Sequence, residues 1–259
     1  MKIAVSGKGG VGKTTVAAAL VEYLSRRGNG VYAVDADPDA SLGITLGLDP
    51  QLVAEQIPLI DMKEVIEEKN AGGGTLVDLN PDIEDTLEEY SIKKDGVNFL
   101  RMGGVKQGGT ACYCKENAFL QSILNSLLYD SNKAVILDMS AGIEHLTRGT
   151  SKGVDLILAV TEPSLTSVKT SLLVKKLAGE LGIKRLCFLG NKVREDREAE
   201  FLKESLPQEE LLGCLPFDGE ILSAARGEGQ EENNGILYKE IEKIMQELLG
   251  GEGIPQKKS

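Results

Sequence analysis

The segment GKGGVGKTT, residues 7 to 15, constrains this chain more than any other. It follows the apolar run KIAVS (2–6) and opens a helical pattern that continues to about residue 27. The pattern G-x-x-x-x-G-K-[ST] thus stands in the strand–loop–helix setting it requires. Its glycines let backbone N–H groups curl round phosphate oxygens, and the helix N-terminus adds the positive end of its dipole. Gly9, Gly10, Val11, Gly12, Lys13, Thr14 and Thr15 are the expected nucleotide contacts. Lys13 is expected to reach the β- and γ-phosphates, and the Thr14 hydroxyl to meet Mg2+.

Beyond the loop, short apolar runs alternate with amphipathic helical patterns, the mark of a mainly parallel sheet covered on both faces. The expected fold is an α/β, single-domain P-loop NTPase with a twisted parallel sheet. Strands are predicted at 2–6, 31–35, 98–102, 134–139, 156–161, 185–191 and 211–216, and helices at 13–27, 115–129, 164–181, 195–204 and 236–249. Within 50–95, PLIDMKEVIEEKN reads as helix and GGGTLVDLN as turn plus strand. Residues 1–249 form the expected ATPase domain, and GGEGIPQKKS (250–259) a flexible tail.

Composition narrows the partners. The formal net charge of −11 argues against a general nucleic-acid surface, which needs concentrated Lys and Arg. It argues equally against an electrostatic anchor on anionic lipid. No apolar run approaches the ~18 residues of a membrane span, and no secretory leader pattern opens the chain. Four cysteines in 259 residues are too few for a disulfide scaffold. A cytoplasmic protein that binds neither nucleic acid nor membrane is expected.

Two further segments carry acids to strand ends. VDADPDASLG (34–43) places Asp35, Asp37 and Asp39 after the second strand, at the sheet edge where open α/β folds bind ligands. Asp39 reads either as part of a switch or as a solvated loop acid. AVILDMSAGI (134–143) is an apolar strand that delivers Asp138, an arrangement that binds Mg2+ directly or through water. Gly142, four residues on, suits a switch whose N–H senses the γ-phosphate.

GGTACYCKEN (108–117) raises a different question. Cys112 and Cys114 are too close for a relaxed disulfide, but residues two apart in an extended segment project to the same side. They look like half of a four-thiolate metal site. Cys187 and Cys214 lie inside apolar strands and read as core residues. His145, the single histidine, reads as a polar switch or capping residue.

Lys8, a second lysine just inside the phosphate loop, resembles the deviant loop of the class containing MinD, ParA and the nitrogenase iron protein. The resemblance implies that Lys8 crosses a two-fold interface to the partner's nucleotide, like an arginine finger supplied in trans. It implies that Asp37 orients or activates the attacking water, so that Lys8, Lys13 and Asp37 are the catalytic set, and that Asp35 lies near the Mg2+ shell. It also implies that Asn191, in NKV (191–193), hydrogen-bonds adenine, with Pro216 and Phe217 of LPFD (215–218) as the opposite wall. Position 194 is Arg, so no guanine-reading N-K-x-D is present, which favours ATP over GTP. In a two-fold dimer, patch meets patch, and two Cys-x-Cys pairs together supply four thiolates.

FLRMGGVKQGGTACYCKENAFL, DMSAGIEHLTRGT and TEPSLTSVKT resemble the CooC-type ATPases, nickel-insertion accessory proteins of carbon monoxide dehydrogenase. The resemblance covers about residues 1 to 245. It implies an ATP/ADP cycle with Mg2+, a nucleotide-dependent homodimer, one Ni2+ or Zn2+ held per dimer by Cys112 and Cys114, and carbon monoxide dehydrogenase as client. Thiolates bind Zn2+ and Cu+ as well, so ligand type alone does not choose the metal. Three other readings share the fold: a nickel-inserting ATPase serving acetyl-CoA synthase, an iron–sulfur carrier or reductase, and a positioning ATPase of the MinD or ParA kind. The iron–sulfur carriers use a C-terminal Cys-x-x-Cys, and here no cysteine follows Cys214. The final helix has mixed charge and ends in glycine, unlike a basic membrane anchor.

Overall fold

The computed structural model describes residues 1–28, 30–37, 40–62, 82–103, 120, 123–130, 133–143, 146, 153–219 and 236–250. Asp39, Cys112, Cys114 and His145 lie outside these residues, as do residues 251–259 and most of the expected helix and strand between 58 and 80.

Among the described residues, eight strands make one sheet: β1 Lys2–Ser6, β2 Val31–Asp35, β3 Ile92–Lys94, β4 Val97–Arg101, β5 Ala134–Asp138, β6 Leu156–Thr161, β7 Leu186–Val193 and β8 Leu211–Pro216. Their order across it is β3-β4-β2-β5-β1-β6-β7-β8. Every neighbouring pair is parallel except β3 with β4. The described α-helices are α1 Lys13–Ser25, α2 Leu42–Thr45, α3 Pro50–Glu55, α4 Asp82–Tyr90, α5 Leu165–Leu181, α6 Asp196–Ser205 and α7 Ile236–Gly250.

The apolar strands are continuous rather than alternating because both faces of the sheet are covered. Ile3 and Val5 of β1 pack with Val16, Leu20 and Leu24 of α1 and with Ile241 and Met245 of α7. Ala4, between them, turns to the other face, where Leu87 of α4, Val168 and Val174 of α5 and Leu202 of α6 gather. Two cores therefore clamp the central strand, every residue of which is buried.

The strand that the sequence reading lacks is β3, antiparallel to β4 and joined to it through Asp95 (φ +47°) and Gly96 (φ +79°). Positive φ at both central residues is what a tight hairpin turn demands, and Asp-Gly supplies it. Its sequence, IKK, carries two lysines on an exposed edge, which discourages edge-to-edge pairing and leaves no apolar run to detect. The expected helix at 115–129 is described only in part. It ends in a π-helical turn over Ser126–Asp130. Helices α3 and α4 fall within 50–95, where the sequence reading placed neither. Asp49 caps α3 by accepting from the Gln51 N–H at 2.8 Å, with Pro50 in the first turn.

Candidate functional site

β1, β2, β5, β6 and β7 run parallel, so their carboxyl ends share one edge, and the loops leaving that edge form the site. The loop after β1 encloses a cleft of about 320 Å³ lined by Gly9, Gly10, Gly12, Lys13, Thr14, Asp37 and Ser41. Two of its glycines are dictated by crowding. A Cβ on Gly7 (φ +145°) would stand 2.3 Å from the Val160 carbonyl oxygen, and one on Gly12 (φ +95°) 2.5 Å from Asn191 Nδ2. Helix α1 begins at Lys13, so its first N–H groups have no acceptor within the helix and stay free for phosphate. Lys13 is 7% exposed, with Nζ 3.4 Å from the Lys8 carbonyl oxygen. Val11 faces the core, fully buried, and contributes backbone only.

Asp35 and Asp138 end adjacent strands in register, and each is 1% exposed. Asp35 is a shaping residue. Its Oδ1 accepts from the Asp37 N–H at 3.1 Å and its Oδ2 from the Leu42 N–H at 2.8 Å, which folds the loop between β2 and α2 around it. Burial nevertheless pushes its pKa up to about 6. Among the described residues Asp138 has the Thr14 hydroxyl nearby but no hydrogen-bond partner of ordinary geometry on either oxygen. Burial, opposed by the nearby Thr14 hydroxyl and reinforced by the Asp35 charge, raises its pKa to about 7. Two orphaned, buried carboxylate oxygens beside a phosphate loop fit a Mg2+ site, since Mg2+ takes one or two carboxylates and completes its shell with phosphate and water.

Gly142 (φ +127°) is tied to β1, because the buried Ser6 hydroxyl donates to its carbonyl at 2.7 Å. The residue before the phosphate loop thus holds the expected switch. Lys8 does not point into open solvent. Its Nζ lies 3.2 Å from Glu162 Oε1, where the Ser164 hydroxyl also donates at 3.3 Å. Glu162 follows β6 and is fixed through its own N–H to the Ser167 hydroxyl at 3.0 Å.

Behind the loop at Gly12, the Asn191 amide donates to the Val11 carbonyl at 2.7 Å. Pro216 and Phe217 leave β8 beside it. The Phe217 N–H donates to Val193 at 2.8 Å, and the Arg194 guanidinium lies 4.5 Å from the centre of the Phe217 ring. The structure thus brings the phosphate loop, Asp35, Asp37, Asp138, Gly142 and Asn191 to one edge. Cys187 is buried and Cys214 half-buried, and burial raises both thiol pKa values, as befits core residues. Among the described residues no His, Cys, Asp and Glu group forms a ready protein-only metal cage.

Sequence reading missed Ser41, whose Oγ lies 3.4 Å from Thr14 Oγ1, as well as Ser6 and Glu162. Ser41 lies in the quoted VDADPDASLG and Glu162 in TEPSLTSVKT, but nothing in either string says which side chain turns toward the loop.

Comparison with known proteins agrees with this geometry. Residues 2–230 match the CobQ/CobB/MinD/ParA nucleotide binding domain. The chain is 38% identical to the carbon monoxide dehydrogenase accessory protein CooC of Rhodospirillum rubrum, over 86% of each chain. It is 36% identical to an ATP-binding protein of Methanocaldococcus jannaschii, over 96% of this chain and 98% of that one. The fold matches the septum site-determining protein MinD of Pyrococcus horikoshii, solved with Mg-ADP, at a TM-score of 0.66 and 22% identity over 99% of both chains. A phosphate loop at the end of the central strand, two acids on neighbouring strand ends and the match over residues 2–230 lead to one conclusion: the chain belongs to the CobQ/CobB/MinD/ParA nucleotide-binding domain family and is an ATPase of that family.

Proposed function

We propose that this ATPase is a metallochaperone: it closes as a homodimer around ATP, holds one Ni2+ or Zn2+ between two Cys112/Cys114 pairs, and assists nickel insertion into carbon monoxide dehydrogenase. The observation that carries the reading is the 38% identity, over most of both chains, to an accessory protein of that enzyme. A phosphate-loop site with Lys8 at its rim supports it.

Each residue has a part in this reading. Lys13 and the N–H groups from Gly9 to Thr15 hold the phosphates of ATP. Thr14 and Asp138 would hold Mg2+, with Asp35 shaping the loop beside them. Bound there, Mg2+ supplies positive charge to the β- and γ-phosphates. Asp37, on the wall of the cleft, orients the attacking water. Lys8 leaves Glu162 and reaches the partner's nucleotide, where phosphate charge develops. Gly142 and Asp39 belong to the segments that rearrange on hydrolysis, and Asn191, Pro216 and Phe217 enclose the adenine.

The coupling of nucleotide to metal follows from symmetry. A four-thiolate site made of two halves exists only while two copies are apposed, so ATP and metal must alter each other's affinity reciprocally. An anaerobic titration of the reduced protein with Ni2+ and Zn2+, with molecular mass followed in the same samples, tests the reading. One metal per two chains, absent when both cysteines are serine, is the expected result. One metal per monomer, or binding that survives the double substitution, would overturn it.

A further inference from the structure

The NKV segment does more than face a base. Lys192, the residue after Asn191, sends its ammonium to the Gly10 carbonyl oxygen at 2.5 Å, while the Asn191 amide holds the next carbonyl, that of Val11, at 2.7 Å. Two consecutive carbonyls of the phosphate loop are therefore gripped by two consecutive residues 180 or more positions away in sequence. Lys13, the lysine expected to meet phosphate, takes no part in this grip.

A second observation concerns the backbone. Lys192 has φ +63°, in the left-handed region that a long side chain avoids. The pairing of β7 with β8 shifts register between Gly190 and Val193, so the strand departs from regular geometry where this lysine sits. Local strain of this kind persists only where surrounding contacts enforce it, and it concentrates at functional sites. The enforcing contacts here are with the phosphate loop. Asn191 is 8% exposed and packs so tightly on Gly12 that no side chain fits between them.

We propose that Lys192 is a positioning residue for nucleotide binding, which together with Asn191 clips the Gly10 and Val11 carbonyls so that the loop's N–H groups are presented to phosphate before the nucleotide arrives. In a planar trans peptide a carbonyl and the following N–H point in opposite directions. Holding the Gly10 carbonyl sets the Val11 N–H, which turns inward to the Lys8 carbonyl at 3.4 Å and closes the loop on itself, and holding the Val11 carbonyl sets the Gly12 N–H, whose residue lines the cleft. An ordered loop binds anions more tightly than one that must first organise. The proposal rests on the nucleotide-binding reading of the cleft and adds a residue that touches neither base nor phosphate.

The test uses the full chain with Mg2+ and either ADP or a non-hydrolysable ATP analogue, titrated by calorimetry. Lys192→Asn suits the left-handed backbone but cannot reach Gly10, whereas Lys192→Arg keeps the reach and the strain. The asparagine variant should lose about 10-fold in affinity for both nucleotides, since one charge-assisted bond is removed. Its melting temperature without nucleotide should equal or exceed that of the parent. Arg should restore most of the affinity. Unchanged affinity in Lys192→Asn would overturn the proposal, as would a loss confined to the triphosphate, which marks direct charge contact with phosphate. A lowered melting temperature with no rescue by Arg would make the residue merely structural and also overturn it. Failure of the unmodified chain to bind ADP at all would instead defeat the nucleotide reading beneath it.

Discussion

Asp35 and Asp138 stand opposite each other on the paired strands β2 and β5, yet their oxygens are used differently: both of Asp35's accept backbone N–H groups, and neither of Asp138's has a partner of ordinary hydrogen-bond geometry among the described residues. One carboxylate builds the loop that carries Asp37 and Ser41. Its neighbour is the carboxylate that would take the proposed Mg2+.

A pH dependence follows from the raised pKa values of about 6 and about 7. A carboxyl whose pKa rises on folding binds its proton more tightly folded than unfolded. That contribution is fully present below the ordinary value of 3.8 and is lost as pH rises through about 7. The nucleotide-free protein should therefore melt at a lower temperature at pH 8 than at pH 5.5, as far as these two groups decide it. Asp138→Asn should flatten the decline and abolish Mg2+-dependent ATP hydrolysis. Melting curves across this range, without Mg2+, check the first part, and phosphate release checks the second. A variant with the parent's slope would remove Asp138 from the account.

The ion pair between Lys8 and Glu162 is partly exposed, with side chains 39% and 25% accessible. A pair of this kind contributes only about 0–1 kcal/mol, which is small enough to be broken when a second copy offers phosphate instead. Glu162→Gln should free the lysine and lower the protein concentration for half-maximal ATPase activity by about 2- to 5-fold, the equivalent of ~0.5–1 kcal/mol. Lys8→Ala should still bind ADP but lose the dependence of specific activity on protein concentration. Turnover measured over a dilution series distinguishes the two. Normal turnover in Lys8→Ala would end the trans role.

Ser6→Ala should leave the buried Gly142 carbonyl without its donor, at a stability loss of about 1–3 kcal/mol. Because the bond joins the expected switch to the base of the phosphate loop, hydrolysis should suffer more than ADP binding. Chemical denaturation and calorimetry on one sample report both quantities.

Cys112→Ser combined with Cys114→Ser should abolish stoichiometric binding of Ni2+ and Zn2+ while nucleotide binding persists, since neither residue lies in the sequence segments that form the phosphate site. In the unsubstituted protein, metal affinity should rise with pH through the thiol range, because thiolates are the ligands. Competition with a chromophoric chelator at several pH values gives both answers.

The sequence exposed the fold wherever a strand is buried on both faces. KIAVS, VYAVD, AVILD and LILAVT are apolar except at their ends because helices cover each side, and each is found as a strand. It concealed β3, three residues long and carrying two lysines, because that edge strand lacks a hydrophobic signature. The phosphate loop was legible because its glycines answer contacts that hold in any such fold. Glu162, Ser6 and Lys192 were not legible in their roles. Each acts through a contact spanning more than 130 residues of chain, and no local pattern encodes a pairing of that separation.

The crowding at Gly7 and Gly12 divides the site for anyone wishing to redesign it. At Gly7 and Gly12, a backbone carbonyl and the Asn191 amide occupy the room a side chain would take, so substitution at these two positions must damage the scaffold before it alters preference. On the far side, Arg194 and Phe217 meet ring against guanidinium at a strand end that is already irregular, and Phe217 is 38% exposed. Substituting those two side chains should leave the backbone bond from the Phe217 N–H to the Val193 carbonyl in place. With adenine enclosed by Phe217 as proposed, a library aimed at accepting a different base would belong on that rim, with Gly7 and Gly12 held fixed.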